Sequence, residues 1–472
     1  MRPPASWRGV ALLVAGAFFM ENLDGTIIAT AAPRMAASLG VRSVDLNVVI
    51  TAYLLTLAVF IPVSGWIADR VGARTVFAAA IALFTVASGF CAVSTSLGEL
   101  TAVRVLQGIG GAMMVPVGRL VVLRSTTRAD LIDAIAYLTW PALAAPVIAP
   151  ALGGVLTTYA SWRWIFVINL PLGVAAFAIA MRIVPNVRVG GHAALDWRGF
   201  AFTGVGLAAL VYGLELCTAS RVAWAVVAVS LAVAALSLTI AVRHLRHARF
   251  PLMNLAAVGI PTFRVMAIGG SFFRLAIGAV PFLLPLMFQD AFGWTSLKSG
   301  LLVVAVFVGN IGIKPATGPL LRRLGFRRVL VVAGIGAGVT VLLCGFLTAH
   351  TPLVVIVLVL LSSGVFRSIA FTAYNTIAFA DIAPDDVGSA NTLSATLQQL
   401  TMGLGVAVGA LALRAGGPIA RLFGASGAGA SPFAVGFVIV AALAFVAVAD
   451  SVLLRPDAGE HIISRPDVGV AS

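Results

Sequence analysis

Charged residues are scarce in this sequence. Of its 472 residues only 10% are Asp, Glu, Lys or Arg, 60% are hydrophobic, and the mean hydropathy is +1.06. A soluble domain carries about 25% charged residues, so this chain could not cover a water-facing surface of its size. Disorder is excluded as well, because the chain is too apolar to stay unfolded. The composition therefore predicts an all-α integral membrane protein, since an open sheet in lipid would leave its backbone edge unsatisfied.

Cysteine and histidine are also few. The three cysteines stand in apolar runs without CxxC spacing, so no disulfide framework or zinc site is predicted. The five histidines form no metal-ligand spacing such as HExxH, and no nucleotide-binding loop is present. We therefore expect no cofactor, no metal and no enzymatic activity.

The long apolar runs predict fourteen membrane spans. Their approximate limits are 9–31, 46–68, 74–95, 99–122, 133–157, 163–183, 199–217, 222–242, 262–288, 297–321, 328–349, 352–376, 388–413 and 432–454. The net charge of +14 lies largely between these runs, in segments too short for a nucleic-acid-binding domain. We interpret the excess as orientation charge and expect no nucleic-acid partner.

The distribution of basic residues predicts the orientation. With the N-terminus placed in the cytoplasm, 20 Arg and Lys residues fall in inner loops and termini and 7 in outer loops. Positively charged loops are retained in the cytoplasm, so we expect both termini inside. The richness in Arg, Ala and Gly suggests a bacterial source, and we expect a multi-pass protein of the inner membrane that is monomeric.

One internal repeat indicates the architecture. GWIADRVGARTVF begins at Gly65 and GPLLRRLGFRRVL begins at Gly318, and an ungapped alignment pairs Gly72 with Gly325. Both segments follow an outside-to-inside span and precede an inside-to-outside one. The two halves therefore run parallel, with spans seven and eight inserted between them. Such paired repeats build secondary transporters with a central cavity.

Five motifs stand on the predicted spans: LDGTIIATAAP, GWIADRVGARTVF, LTAVRVLQGIGGAMMVP, APVIAPALGG and SWRWIFVINLPLG. With them the chain resembles, from about residue 9 to 454, the fourteen-helix drug:proton antiporters of the major facilitator superfamily. The resemblance implies the major facilitator fold, with two six-helix bundles and two additional helices. We divide the chain into bundles at 1–183 and 262–455, inserted helices with linkers at 184–261, and a cytoplasmic tail at 456–472.

Two acids on the first span are candidates for proton coupling. Glu21 and Asp24 lie three residues apart, on one face of a helix, and two such carboxyls in low dielectric resist ionising together. Arg104 on the fourth span lies at a similar depth, ~8–10 Å below the outer surface. We therefore expect Arg104 to meet Asp24, as a permanent ion pair or as a contact that breaks during transport.

The remaining deep charges are basic, which gives two embedded acids against four embedded bases. This balance is compatible with a zwitterionic, neutral or partly anionic substrate, although long basic side chains also snorkel towards the interface. The candidate substrate cavity comprises these bases and embedded polar or aromatic residues: Arg274, Lys314, Arg367, Asn22, Gln107, Asn310, Asn375, Tyr53 and Trp140. Inter-helix hydrogen bonds are the alternative role for the polar members.

Two motifs are candidates for gating. We expect Asp69 to face the inner N-terminus of span thirteen, near Gly388, where the helix dipole favours an anion. Arg70 and Arg74 are expected to pair with the acidic loop DIAPDD, while Gly65 and Gly72 permit close approach and a tight turn. On span five, the prolines at 146 and 150 bend the helix, and a stripe of small residues allows close packing: Pro146, Pro150 and Gly153, with Ala145 and Ala149.

The sequence thus predicts a secondary transporter that exports drugs or other small amphipathic molecules in exchange for protons, with the proton gradient as its energy source. A dedicated exporter of a sugar, peptide precursor or other metabolite remains an alternative, as do proton symport and facilitated diffusion, because a fold does not fix its function. A transporter-like sensor would bind ligand without flux. An integral-membrane enzyme would need clustered nucleophiles, acids or metal ligands, and none is apparent in the sequence.

Overall fold

A computed structural model of the chain describes residues 7–41, 43–127, 130–186, 194–218, 222–422 and 432–463. Within these ranges the chain is helical and contains no β-strand. The long helices, in chain order, are α1 (Trp7–Leu39), α2 (Asn47–Val71), α3 (Ala73–Val93), α4 (Leu97–Ser125), α5 (Leu131–Tyr159), α6 (Asn169–Ile183), α7 (Trp197–Thr218), α8 (Trp224–His247), α9 (Gly269–Leu286), α10 (Ser296–Gly312), α11 (Lys314–Gly345), α12 (Leu353–Ile377), α13 (Val387–Leu422) and α14 (Pro432–Val452).

The helices agree with the predicted membrane spans in type and order. Twelve helical segments of the described chain are long and apolar enough to cross a bilayer. The other two predicted spans, 133–157 and 297–321, coincide with α5 and with α10 followed by the first part of α11. Several limits differ from the prediction, because α1 extends to Leu39 and α13 to Leu422.

The start of α4 shows how local sequence positions a deep charge. Ser96 caps the helix by accepting a hydrogen bond from the backbone N–H of Glu99, 3.2 Å away, and the Glu99 carboxylate accepts one from the N–H of Thr95 at 2.9 Å. Such reciprocal capping satisfies donors that the first helical turn leaves free. It fixes where α4 begins, and Arg104 then follows about two turns further along the helix.

The internal repeat is visible in the backbone. Gly72, between α2 and α3, has φ 106°, and its aligned partner Gly325, inside α11, has φ 77°. Both values lie in the region that side chains with a Cβ rarely adopt. Gly325 divides α11 into a part that continues α10 and a part that corresponds to α3, so the same turn occurs in both halves.

Helix packing repeats in the same way. In the first half α1 packs on α5, α2 on α4, and α3 on both α4 and α6; in the second half α9 packs on α13, α10 on α12, and α11 on both α12 and α14. The inserted α7 and α8 pack on each other, and α7 also contacts α2 and α13. The halves meet where α2 contacts α13 and where α5 contacts α10 to α12.

The turn at Gly325 generates a test of the fold. Gly325→Ala should destabilise the protein by about 1–3 kcal/mol, because φ 77° with ψ 162° is nearly restricted to glycine. No other atom lies within 4 Å of the position that the added methyl group would take, so the loss would come from backbone strain alone. The measurement is the midpoint of thermal unfolding in detergent.

Gly300→Ala is the matched control for that test, because Gly300 lies within α10 with open space around it and an ordinary φ. We expect it to leave the midpoint unchanged or to raise it slightly, since alanine favours a helix. Equal midpoints for the two variants would contradict the assignment of a strained turn at Gly325.

Candidate functional site

Asp24 lies at the centre of a buried polar network on α1. Its side chain is fully enclosed, and Oδ2 is 2.5 Å from Nη1 of Arg104 on α4. Its other oxygen, Oδ1, accepts hydrogen bonds from Nε2 of Gln107 at 3.0 Å and from Nδ2 of Asn169 at 2.9 Å. The structure therefore brings Asp24 and Arg104 together, as their similar positions along the two spans predict.

Arg104 has other partners besides Asp24. Its Nη1 also donates to Oε1 of Gln107 at 2.6 Å. The guanidinium carbon lies 4.5 Å from the centre of the Tyr53 ring and 5.8 Å from that of Phe166. An aromatic face attracts a cation by up to about 2 kcal/mol when both are desolvated. Arg104 can therefore stay partly stabilised if its contact with Asp24 is lost.

Glu21 has a different environment from Asp24. The two carboxyl groups form no hydrogen bond with each other, and Oε2 of Glu21 is a buried oxygen without a hydrogen-bond partner in the described chain. The Tyr53 hydroxyl is likewise buried and unpartnered. A Cβ added at Gly111 would lie 3.0 Å from that hydroxyl and 3.5 Å from Oε1 of Glu21, so the three groups are neighbours. The acids thus share a helix face, but in the part of the chain that the structure describes only Asp24 forms an ion pair.

Sequence reasoning missed two members of the Asp24 network. Asn169 begins α6 and is fully buried, and Ser88 on α3 accepts hydrogen bonds from Nε2 of Gln107 at 2.8 Å and from Asn169 at 3.2 Å. Asn169 lies in the motif SWRWIFVINLPLG, where a single amide among apolar residues is the available signal. Ser88 gives no such signal, because the hydroxyl of a serine in a span ordinarily forms a hydrogen bond with a backbone carbonyl of its own helix.

The balance of embedded charge also needs correction. Arg119, which the charge count assigns to an inner loop, is buried in α4 and lies 5.0 Å from the Phe379 ring centre. Glu215 of α7 is a third embedded carboxyl, and it accepts a hydrogen bond from Thr51 of α2. The hydropathy pattern does not reveal either residue as buried, because each lies near the end of its span. A charge there has little effect on the mean hydropathy of the span.

The predicted basic residues of the second half are buried but not clustered together. Nη2 of Arg274 donates to Oδ1 of Asn375 at 3.2 Å, and Nζ of Lys314 donates to Oγ1 of Thr372 at 2.7 Å. Arg367 is buried in α12 and has no hydrogen-bond partner in the described chain. Lys314 differs from the other two because it lines a cavity.

That cavity lies between the two halves and has a volume of about 460 Å³. Small-molecule pockets measure about 300–1,000 Å³. Its wall contains Trp7 and Tyr137, whose rings meet edge-to-face at 5.9 Å, as well as Asp133 and Lys314. Apolar, aromatic and charged groups therefore face one space large enough for a small amphipathic molecule.

Other predicted cavity residues serve the bundle itself. Asn22 donates to the carbonyl of Phe18 on its own helix at 2.8 Å, and Asn375 donates in the same way to Phe371. The carbonyl of Asn310 accepts from Ser368, at 2.7 Å, which joins α10 to α12, while its side-chain oxygen is buried without a partner in the described ranges. The side chain of Trp140 lies outside the described part of the structure.

The first gating motif joins the halves at the Gly72 end, by which we mean the end of the bundle that contains the α2–α3 turn. Oδ1 of Asp69 is 2.6 Å from Nη2 of Arg124. A Cβ added at Gly388 would lie 3.1 Å from Asp69, and one added at Gly65 would overlap Oγ1 of Thr392. Asp69 thus lies beside the N-terminus of α13, and Gly65 allows α2 to contact that helix.

The expected pairing of Arg70 and Arg74 with Asp385 and Asp386 is not among the ion pairs of the described chain. Arg70 lies over the Trp66 ring at 5.3 Å. Neither Arg70 nor Arg74 forms an ion pair with Asp385 or Asp386 in the ranges that the structure covers. All four side chains lie near water, which solvates them without a partner and makes such pairs weak.

A second contact closes the other side of the same end. Nη2 of Arg322 on α11 is 2.7 Å from Oδ2 of Asp133 on α5. The internal repeat aligns Arg322 with Asp69, so the equivalent position has opposite charge in the two halves. Gly318, which aligns with Gly65, approaches Asp133 in turn.

The small residues of α5 face α1. Ala145 and Ala149 are fully buried in a cluster that contains Leu23, Ile27 and Ala31. Gly153 is also buried. The stripe therefore tightens packing within the first half. The side chains of Pro146 and Pro150 lie outside the described part of the structure.

The site thus combines buried charged groups on several helices with a cavity between the two halves. The comparisons with known proteins agree. The profile of the Major Facilitator Superfamily matches residues 14–406 and, in a second match, 266–467. Putative multidrug resistance protein MdtD of Cronobacter sakazakii is 39% identical over 415 residues, which cover 88% of each chain. MdtD of Klebsiella pneumoniae is 39% identical over 415 residues and that of Salmonella paratyphi A 36% identical over 410, each covering 87% of both chains.

A solved structure supports the same fold. The crystal structure of the human organic anion transporter MFSD10 superposes with a TM-score of 0.64 at 15% identity, covering 95% of this chain and 100% of that one. Together with the repeated helix packing and the multiple membrane spans, these matches identify a multi-pass membrane transporter rather than an enzyme: the chain belongs to the Major Facilitator Superfamily.

Proposed function

We propose that the protein is a proton-coupled exporter of drugs or other small amphipathic molecules. The observation that carries the proposal is the buried Asp24 carboxylate, held by Arg104, Gln107 and Asn169 on two other helices. Membrane-embedded charges are costly and are therefore functional in most transporters. The protein would act as a monomer in the bacterial inner membrane, with both termini and the Gly72 end facing the cytoplasm.

The proton step is a change of partner at Asp24. Ionised Asp24 binds Arg104, and a proton that enters from the outer side converts the carboxylate to a neutral acid. Nη1 of Arg104 then keeps its hydrogen bond to Gln107 and its position over Tyr53. When Arg104 binds Asp24 again, the proton leaves on the cytoplasmic side. The Glu21 carboxyl, on the same helix face, supplies a second acceptor along this route, since its Oε2 has no hydrogen-bond partner in the described ranges.

The energies favour a coupled switch at Asp24. Removing one partner of a buried ion pair costs about 3–5 kcal/mol. Neutralising Asp24 by protonation therefore changes the relative free energies of different arrangements of α1 and α4 by an amount large enough to shift the equilibrium between them. The exposed contacts at the Gly72 end are weaker, since the Asp133 and Arg322 side chains keep 33% and 23% of their surface in water, and pairs of this kind contribute about 0–1 kcal/mol.

The Gly72 end is the gate on the cytoplasmic side. The Arg322–Asp133 ion pair and the approach of Asp69 to the N-terminus of α13 join the two halves there. Each contact is weak enough to separate in turn when the halves tilt, which is how repeat-built transporters alternate access. In this proposal, the arrangement of the described residues is the state in which this end is closed.

The substrate class follows from the cavity between α1, α5, α10 and α11. Its wall, with aromatic rings and charged groups of both signs, suits a flat apolar body with a polar group, and the relatives described above are named for multidrug resistance. A dedicated exporter of one metabolite is the second candidate, favoured by the defined hydrogen bond between Lys314 and Thr372 at the cavity. Transport of many unrelated compounds would exclude that candidate.

Asp24→Asn tests proton coupling. The substitution keeps the shape of the side chain but removes its exchangeable charge, so we expect at least a tenfold loss of proton flux during export. The measurement is substrate-induced dissipation of an imposed pH gradient in proteoliposomes, with ethidium, 2-naphthoate and methyl 2-naphthoate as probes of different charge.

Asp457→Asn is the control for this experiment, because it removes the same charge from an exposed side chain outside the bundle. It should retain the coupled flux. Arg104→Gln should lose coupling as well, which provides a second variant if Asp24→Asn folds poorly. Wild-type proton flux in Asp24→Asn would contradict the proposal that Asp24 couples export to protons.

The gate is tested by reversing charges across α5 and α11. Asp133→Arg or Arg322→Asp alone should favour the state that is open at the Gly72 end, because like charges would then face each other. The double variant should restore closure. The measurement is the distance between spin labels on cysteines introduced at Thr127 and Arg323, two exposed positions at that end. Equal distance distributions in the single and double variants would contradict a gating role.

A further inference from the structure

Two buried arginines from different halves meet at one neutral oxygen. Arg119 lies on α4, with 7% of its surface exposed, and Arg274 lies on α9, with 1% exposed. Nη2 of each donates to the same atom, Oδ1 of Asn375 on α12, and both distances are 3.2 Å. The amide oxygen therefore stands between two guanidinium groups.

No acid in the described ranges balances these two charges, since neither arginine forms an ion pair with a carboxylate there. The remaining contact of Arg274 is a weak one, from Nη1 to the sulfur of Met266 at 3.6 Å, and its Nε is buried without a partner in the same part of the chain. Arg119 adds only a long contact to the backbone carbonyl of Asn375, at 3.5 Å. A buried charge is costly unless it is paired. Arg104, on the same helix as Arg119, has such a partner in Asp24.

The surroundings of the two arginines are apolar and aromatic. The Phe379 ring centre lies 5.0 Å from the guanidinium carbon of Arg119, and that of Phe371 lies 5.9 Å from that of Arg274. Guanidinium groups bind carboxylate, phosphate and sulfonate oxygens through paired N–H donors. Aromatic rings beside them suit an apolar body attached to such a group.

We propose that Arg119 and Arg274 bind the anionic oxygen group of an exported amphipathic molecule, a carboxylate, phosphate or sulfonate. This rests on the proposed export function. When the halves separate at the Gly72 end, Arg119 moves with α4 while Asn375 stays with α12 in the other half. The oxygen of the entering anion then takes the place that Oδ1 of Asn375 occupies in the closed arrangement. In the closed arrangement, Oδ1 of Asn375 thus accepts the hydrogen bonds that the substrate anion would accept during transport.

The test is equilibrium binding to purified protein without any gradient. We expect 2-naphthoate to raise the midpoint of thermal unfolding in neutral detergent and its uncharged methyl ester to have no effect. Arg119→Gln and Arg274→Gln should each weaken the apparent affinity for 2-naphthoate at least tenfold. Arg246→Gln removes the same charge from an exposed site at the end of α8 and should leave the affinity unchanged.

Arg119→Lys and Arg274→Lys keep the charge without the paired donors, so they provide a measurement if the glutamine variants do not fold. Weakened binding of 2-naphthoate in the lysine variants supports the site, and wild-type affinity in them overturns it. Equal stabilisation by the ester and the acid would also overturn it.

Two further arms separate the source of the anion and the proton mechanism. Nanodiscs of phosphatidylglycerol and of phosphatidylcholine test a lipid headgroup: arginine-dependent stabilisation by phosphatidylglycerol without any effect of 2-naphthoate would overturn the assignment to substrate. Asp24→Asn should still bind 2-naphthoate. If Asp24→Asn binds 2-naphthoate but keeps wild-type proton flux, the proton mechanism fails and the anion site stands. If the wild-type protein shows coupled flux but no arginine-dependent binding of 2-naphthoate, the anion site fails and the proton mechanism stands.

Discussion

The buried ion pair between Asp24 and Arg104 is the interaction on which the other features depend. It lies deep in the first half, where water does not screen it, and its members come from α1 and α4. Gln107 and Asn169 satisfy the remaining acceptor sites of the carboxylate. Because this pair is strong only while Asp24 is ionised, the proposed protonation of Asp24 would weaken a contact between two long helices.

The repeat explains why the weaker contacts that we propose as gates occur as a pair. Equivalent helices pack in the same way in both halves, so α2 meets α13 on one side and the α10–α11 segment meets α5 on the other. The aligned positions Asp69 and Arg322 carry opposite charges, and each faces the helix that corresponds to the other's partner. Equivalent positions of the two halves therefore contact equivalent helices with opposite charge. Both contacts lie at one end of the bundle, so the proposed tilt of the halves would separate them together.

The sequence is sufficient to predict the fold because its strongest signals are long. Hydropathy over about twenty residues places the spans, and the pairing of Gly72 with Gly325 gives the parallel halves, which positive φ at both glycines supports. The depth of Asp24 and Arg104 follows from counting residues along helices. The position of a residue along a helix does not, however, reveal how the helix is rotated about its own axis. The roles of Asn169 and Arg119 depend on which face of a helix turns inward, and neighbouring helices decide that.

Long side chains limit prediction in a second way. Proximity alone predicts that Arg70 and Arg74 reach an acidic loop, but exposed pairs are so weak that solvation competes with them. Arg322 and Asp133 do meet, because each begins close to a helix–helix contact. Electrostatic complementarity in a sequence is therefore a reliable guide only where packing already brings the groups together.

Two of the arginines of α4, Arg104 and Arg119, bear on how the proposed proton and substrate sites communicate. Arg104 and Arg119 are 15 residues apart, which corresponds to about 22 Å along the helix. A proton at Asp24 and an anion at Arg119 are thus too distant to compete directly for one group. The helix that joins them is anchored between them, where Asn391 of α13 donates to the carbonyl of Pro116 at 2.8 Å. Coupling would then pass through displacement of α4 as a body, a two-state element that both sites bias. Asp24 holds α4 near one end through Arg104, and Asn375 holds it near the other end through Arg119. In this proposal, a proton at Asp24 or an anion at Arg119 would therefore change the free energy needed to release the other contact.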